Sequence, residues 1–553
     1  MQSMVTFKTR GTFRMQEIGG VDIFRPRPES DAAIRRKAEP NLRVKFAAGT
    51  YTDVKDVQAI LHEQVAFFGD RFDDLITKLA SRDLLEFVLW QYDETGRLDE
   101  LRKEGRLKGE ALRAWTNIGP TYRRALKYMA ERTAMHAPNV DPKDAPSPDD
   151  VDELFICAEE LISYCVTSDL TRIFPSTTTV VVQQERHPTY IDHSVSDLRL
   201  QELEQRIHTD AAERNKFFEQ PNFEQDYMTH ASIVDTALQD TIGTTHTSAL
   251  SMLAILRDGC TADPAATFPT KFVLRSKVVD KLATVYGVSS DVVERVLDGF
   301  SLRKEDLIAR AKGDKDFWHP GFHHRAYRRA LFCMPHELGA HIAFGDRMFE
   351  ECWVIMQAEV CYGQYPDEWR SDAVTAALGT VVRKRGEWFE EQVRRNLSTI
   401  GIEGLASRTR IGKDGASIVL PGEFDFIGWS DADQALVLFE DKMLQHGAEP
   451  RLWKNQIDAF LRGTKKEEAY LTKLKRKTEW LKENAAAVCD ALRSEGVDVK
   501  VAPVKVLSGF LTYTPSPASY FIDDFPCVAV SEFMTDYLKA KMWPYQNGSL
   551  SLV

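Results

Sequence analysis

From about Val54 to Met135 apolar residues recur at intervals of three and four, as in VQAILHEQVAFFGDRFDDLITKLA and LLEFVLWQY, which predicts amphipathic helices packed as a bundle. Residues 5–24 instead suggest one or two short strands, with turns at Arg10-Gly11 and Gly19-Gly20, and Arg25-Pro-Arg-Pro-Glu-Ser reads as a linker. Four prolines among Asp, Ser and Asn make 137–150 a solvated connection. Helical texture returns in VDELFICAEELISYCV, and a strand is expected over 177–183. From Val381 the grammar changes. VVRKRGEWFEEQVRRNLSTIGI puts Phe389, Val393 and Leu397 on one helical face. An apolar hairpin follows, then RLWKNQIDAFL opens a helix with a break near Gly463-Thr464, and VKVAPVKVLSGFLTY gives one or two strands. PCVAVSEFMTDYLKA reads as a short strand entering a helix. The expected fold is an α/β C-terminal core, a mixed central sheet flanked by helices, preceded by a mostly α-helical region. The divisions are a β-rich segment 1–29, a helical domain 30–136, a linker 137–150, a mostly helical recognition or regulatory region 151–380, and the core 381–553.

The hairpin is where strand grammar and charge conflict. Gly422 to Gly428 reads as one strand, Ser430 to Asp433 as a turn, and Gln434 to Lys442 as a second strand. Antiparallel pairing across that turn sets Asp425 opposite a residue between Leu438 and Glu440. Glu440 and Lys442, two apart, project from one face. Charged groups at the end of an apolar hairpin resist burial unless compensated, and hard carboxylate oxygens suit Mg²⁺, with Mn²⁺ as substitute.

An Asp on one strand followed by Glu-x-Lys on the next, here Asp425 and Glu440-Asp441-Lys442, resembles the PD-(D/E)XK nuclease superfamily. Its leading Pro-Asp is absent, since Phe424 precedes Asp425. The resemblance covers the stretch from Val381 to Ala540 and implies a restriction-endonuclease-like core that hydrolyses phosphodiester bonds. It implies that Asp425, Glu440 and the main-chain carbonyl of Asp441 hold the metal while Lys442 positions the nucleophile. Superfamily members also supply an acidic residue from the preceding helix in a Phe-Glu context, for which Glu390 is the candidate and Glu387 the second. A Gln or Lys from the following helix corresponds to Gln456 or Lys454. Large regions joined to such cores resemble bacterial anti-phage defence and restriction-type effectors. The implied partner is nucleic acid, DNA before RNA, with the N-terminal region mediating self-assembly or binding a regulator. The alternative is a catalytically silent nuclease fold acting as a nucleic-acid-binding scaffold.

Composition bounds this reading. Hydrophobic residues at 43% and charged residues at 28% of 553 give an ordinary globular chain with room for about two to four domains. The start lacks the apolar run of a signal peptide and no stretch has the length of a membrane span, so a cytoplasmic protein without membrane contact is expected. Eight cysteines without a Cys-x-x-Cys pair argue against a zinc ribbon or disulfide framework. The net charge of −12 arises upstream, because Val381 onward carries 24 basic and 24 acidic residues. A basic ridge of Lys465, Lys466, Lys473, Lys475, Arg476, Lys477 and Lys482 could attract a polyanion, although interspersed Glu favours plain solvation for part of it.

Three upstream motifs compete for chemistry. Residues 278–300 have a helix-turn-helix rhythm, but Ser290, Asp291 and Glu294 open the second helix with neutral and acidic groups, which favours two packed helices over a DNA reader. In DKDFWHPGFHHRAYRRALF, aromatics interleave with Arg325, Arg328 and Arg329, which fits base stacking. A turn followed by a helix with a basic outer face is the favoured reading. Pro320-Gly321 separates His319 from His323 and disfavours a metal site there. His336 and His341 are five apart, about 140° around a helix, which rules out the zincin spacing.

Overall fold

The computed structural model describes residues 5–10, 13–137, 147–175, 178–183, 190–195, 198–262, 268–311, 325–336, 339–413, 415, 417–444, 450–463 and 467–552. Two compact units divide the chain: residues 1–196, 231–360 and 364–377 form the first, and residues 197–230, 361–363 and 378–553 the second.

In the first unit the expected strands are a three-stranded antiparallel meander, Val5–Arg10, Phe13–Ile18 and Val21–Phe24. Gly19 and Gly20 both have positive φ, 59° and 85°, which lets the tight second turn form. The predicted bundle is present as Val54–Leu79, Arg82–Lys103, Gly109–His136 and Pro148–Ile173. Three of its four starts are capped by side chains: Asp53 accepts from the amides of Lys55 and Asp56, Ser81 from Leu84, and Ser147 from Asp150. The segment 25–30 is only half a linker, because Pro28 begins a helix running to Lys45, where its missing N–H is harmless. The first unit also holds more sheet than expected, one strand of it from before residue 151. Gly49–Tyr51, Thr178–Gln183 and Tyr190–Val195 make one antiparallel sheet, and Lys271–Leu274, His341–Phe344, Leu331–Met334 and Ser301–Leu302 make another.

Arg275–Tyr286 and Ser290–Phe300 are two helices joined at the left-handed Gly287, with Arg275 bonded to Glu294 and Asp298. Glu294 is thereby spent on an internal ion pair. Residues 312–324, including His319 and His323, lie outside the described residues. Arg325, Arg328 and Arg329 do not form a basic outer face. The chain turns there and enters the strand Leu331–Met334. Arg325 and Arg329 are each 1% exposed. Arg325 is bonded to Glu131 at 2.8 Å, Arg329 to Glu368 at 2.8 Å, and Arg328 to Glu359. Among the described residues no helix is long and apolar enough to cross a membrane.

The second unit is a mixed α/β layer structure. In chain order it comprises α1 (Leu198–Glu213), α2 (Asp372–Thr399, from Leu378 on), β1 (Ile402–Ile411), β2 (Ile418–Ser430), β3 (Ala435–Lys442), α3 (Pro450–Leu461), α4 (Tyr470–Glu483), α5 (Ala485–Ser494), β4 (Lys505–Thr512), β5 (Cys527–Ala529), α6 (Val530–Ala540) and β6 (Ser549–Ser551). The sheet order is β1-β2-β3-β4-β5, with β6 also on β4. β1, β2 and β3 pair antiparallel, while β3 with β4 and β4 with β5 are parallel. A parallel neighbour requires a crossover, and α3 to α5 supply it.

Alternation along the strands splits the core. Ile427, Trp429, Leu436 and Leu438 pack under Phe460, Leu474, Leu481 and Val488. Phe426, Val437, Phe439 and Leu507 pack under Phe389, Val393 and Leu397 of α2 and Phe533 and Tyr537 of α6. The expected boundary at 381 falls near the observed Leu378, but residues 197–230 also belong to this unit. Their anchors are remote in sequence: Arg206 pairs with Glu532, and Phe218 stacks on Trp388 and Phe389.

Candidate functional site

The β2–β3 register pairs Ile427 with Leu438 and Phe426 with Phe439. The pairing ends there, and Asp425 and Glu440 are the next residues on their strands, Glu440 turning to the α4 side where Lys477 meets it. Side-chain alternation then carries Lys442 onto that face and turns Asp441 toward the α2 layer. Chain direction and a period of two thus gather the three expected residues at the end of an otherwise apolar ladder.

Lys442 occupies the centre. Its ammonium is 2.6 Å from Asp425 Oδ2, 3.0 Å from the Asp441 carbonyl oxygen and 3.4 Å from Glu440 Oε2. These three oxygens are the donors expected to hold a metal, and they converge on one cation. Asp425 Oδ2 also accepts the Asp441 amide at 2.9 Å. Burial opposes the charge on Lys442, but Asp425, Glu440 and Asp441 outweigh it and lift the ammonium above the ordinary lysine range.

Glu390 is brought in from α2. Its carboxylate accepts the Ser407 hydroxyl, and Ser407 lies across β1 from Asp425, between the pairs Ala406–Phe426 and Arg408–Phe424. Ser407 has φ 52°, a left-handed conformation unusual for a residue with a Cβ, beside a register shift between Arg408 and Arg410. Burial, followed by the charges of Asp425 and Glu423, pushes Glu390 up to about 7 against the Ser407 bond and Lys442. Glu440 is raised chiefly by burial and then by Asp425. Asp441 is raised well above the carboxylate range by burial, and both of its carboxylate oxygens are buried without a hydrogen-bond partner.

The remaining candidates lie elsewhere. Glu387 is exposed and faces Arg383. Lys454 pairs with Asp458 one helical turn on. Gln456 accepts a hydrogen bond at 3.2 Å from Ser516, in the segment after β4. Lys477, expected on the basic ridge, lies elsewhere. Instead of standing on a solvated ridge, it points into the sheet, 5% exposed, and donates to Glu440 Oε1. The signal was its position three after Leu474 and four before Leu481, on the buried stripe of α4. Elsewhere on the ridge Lys475 pairs with Asp524 and Arg476 with Glu468, while Lys465 and Lys466 lie outside the described residues.

Among the described residues no three His, Cys, Asp or Glu side chains form a ready metal cage. The donor set here has two carboxylates and a main-chain carbonyl, which such a cage does not require. Charge also fits: Asp425 and Glu440 bond Lys442, Glu440 bonds Lys477, and Glu390 and Asp441 add further carboxyls close by, so a dication would offset the excess when all are ionised. A cavity of about 890 Å³ opens between α1, β5 and α6, but Asp425, Glu440 and Lys442 do not line it. Its Arg206 and Glu532 are already paired with each other. In comparisons with family models, with characterised proteins and with solved structures, nothing matches the chain.

Proposed function

We propose that the chain is a metal-dependent nuclease whose C-terminal unit hydrolyses phosphodiester bonds, with DNA as the first substrate to test. The observation that carries this reading is the convergence of Asp425 Oδ2, Glu440 Oε2 and the Asp441 carbonyl on one cationic point beside Glu390. Those three oxygens would hold Mg²⁺ or Mn²⁺, which when bound supplies Lewis-acid polarisation of a phosphate oxygen and a water of lowered pKa. Lys442, on the same strand as Glu440, would orient the attacking water and offset charge developing on phosphorus. Glu390, poised near neutrality, is placed to take up a proton from the Asp425 side of the site. Asp425 is held by the Asp441 amide, so its geometry does not depend on Lys442 alone.

The test is incubation of the purified chain with duplex DNA, single-stranded DNA and RNA in Mg²⁺, Mn²⁺ or EDTA. Cleavage that needs the metal and disappears in Asp425→Ala and Glu440→Ala supports the reading. Cleavage that survives both EDTA and Asp425→Ala overturns it. Tight nucleic-acid binding with no cleavage under any condition would leave a silent nuclease fold acting as a scaffold.

A further inference from the structure

Glu440 is gripped from two sides. Oε2 faces Lys442, and Oε1 accepts from Lys477, a residue thirty-seven positions away on the crossover helix α4. Lys477 reaches Glu440 from a buried row with Leu474, Thr478 and Leu481, and its ammonium passes 5.4 Å from the Phe424 ring centre. The helix is fixed at that level by the Thr478 hydroxyl, which donates to Ser508 of β4 at 3.0 Å. The Lys477 side chain is 7% exposed and that of Glu440 4%, so this pair is more enclosed than Lys442 with Asp425. A buried ammonium with one bonded carboxylate oxygen holds that oxygen in place, because releasing it would leave both charges uncompensated.

We propose that Lys477 is a positioning residue that sets cation selectivity. By capping Oε1 it leaves Glu440 only Oε2 to offer, which makes the carboxylate a one-oxygen ligand. This inference rests on the metal-site reading of Asp425 and Glu440. Mg²⁺ demands compact octahedral coordination and keeps several waters, whereas Ca²⁺ takes six to eight oxygens and readily accepts both oxygens of a carboxylate. A Glu440 locked to one oxygen therefore favours the smaller ion. Freed from Lys477, it can rotate to present both oxygens and favour the larger one.

The experiment measures Mg²⁺ and Ca²⁺ affinities by competition against Mn²⁺, followed by electron paramagnetic resonance, for the full chain, Lys477→Met and Lys477→Arg. Loss of one positive charge strengthens both ions alike, so the ratio of the two affinities isolates orientation from charge. The expected result is a shift of that ratio toward Ca²⁺ by about tenfold in Lys477→Met, with Lys477→Arg close to the parent. An unchanged ratio in Lys477→Met, with Mn²⁺ still bound through Asp425, overturns the proposal and leaves the metal site standing. Absence of Mn²⁺ binding in the parent chain overturns the metal-site reading itself, and the selectivity role falls with it. A second measurement needs no variant. In the parent protein, acetylation read by mass spectrometry should leave Lys477 as protected with Mn²⁺ as without it, while Lys442 gains reactivity; exposure of Lys477 on adding Mn²⁺ would overturn its role as a fixed cap.

Discussion

Lys442 reaches across the β2–β3 ladder to set its ammonium 2.6 Å from Asp425 Oδ2, and the same oxygen accepts the Asp441 amide. One carboxylate oxygen therefore joins the Glu-x-Lys strand to its neighbour by two bonds, both largely shielded from water. Asp425→Ala leaves an ammonium and an amide without that acceptor and should destabilise the C-terminal unit by about 3–5 kcal/mol. Asp425→Asn keeps an oxygen for the amide and should lose less. Both variants should lose at least about 100-fold in cleavage. Urea unfolding beside a plasmid-nicking assay separates the two effects, and an Asn variant that cleaves like the parent would remove Asp425 from the chemistry.

Glu390 makes the metal-free protein sensitive to pH in a definite direction. Its carboxyl is pushed up to about 7 by burial and by Asp425 and Glu423, whereas an unfolded Glu titrates near about 4.3. Between those values the folded chain holds a proton that the unfolded chain has released, so stability falls as pH rises through the window. Glu440 and Asp441 are raised as well and act in the same sense. The transition temperature in EDTA should be higher at pH 5 than at pH 8, and Glu390→Gln should flatten the dependence. A parent protein more stable at pH 8 would contradict this, as would a Gln variant with the full slope.

The hairpin was legible because period-two alternation and a turn act over a few residues, and register follows from them. Glu390 was singled out by the Phe-Glu context that the resemblance implies, while Phe389, Val393 and Leu397 show only which side of its helix is buried. β1 was not. IEGLASRTRI carries Ser, Arg, Thr and Arg because it is an edge strand, and only Ile402 and Ile411 in it are fully buried. Lys477 was hidden in a basic run whose Lys475, Arg476 and Lys482 are exposed. Partners of the upstream arginines lie far along the chain, and spacing rules see only near neighbours. The same holds for residues 197–230, which join the C-terminal unit through contacts such as Arg206 with Glu532.

Those arginines yield a prediction that separates structure from nucleic-acid contact. Arg325 and Glu131 are 1% and 0% exposed at their side chains, and Glu131 also accepts the Ala326 amide at 2.6 Å. Glu131→Ala should cost about 3–5 kcal/mol, since it strips a buried guanidinium of its carboxylate. Arg325→Met should likewise lower stability. It should leave the salt dependence of DNA binding unchanged, because a side chain that touches no phosphate releases no counterion. A shallower salt slope in a folded Arg325→Met protein would instead place this arginine on nucleic acid.

Asp441 separates the two ways in which one residue can serve a metal. Its carbonyl oxygen belongs to the set that converges on Lys442, whereas its carboxylate turns to the opposite face and finds no hydrogen-bond partner. Asp441→Asn keeps the carbonyl and removes a group whose ionisation burial opposes. The variant should therefore be more stable than the parent at pH 8, with the advantage shrinking toward pH 5, as the unfolded carboxylate nears its own protonation range and the folded and unfolded chains hold more nearly the same protons. Cleavage should stay within about tenfold of the parent, a barrier change of no more than ~1.4 kcal/mol, in contrast to Asp425→Asn. Loss of activity as deep as that of Asp425→Asn would assign the chemistry to the Asp441 carboxylate. Loss of stability at pH 8 would show that this carboxylate is ionised and compensated in the folded protein, and that the raised proton affinity inferred from its burial is wrong.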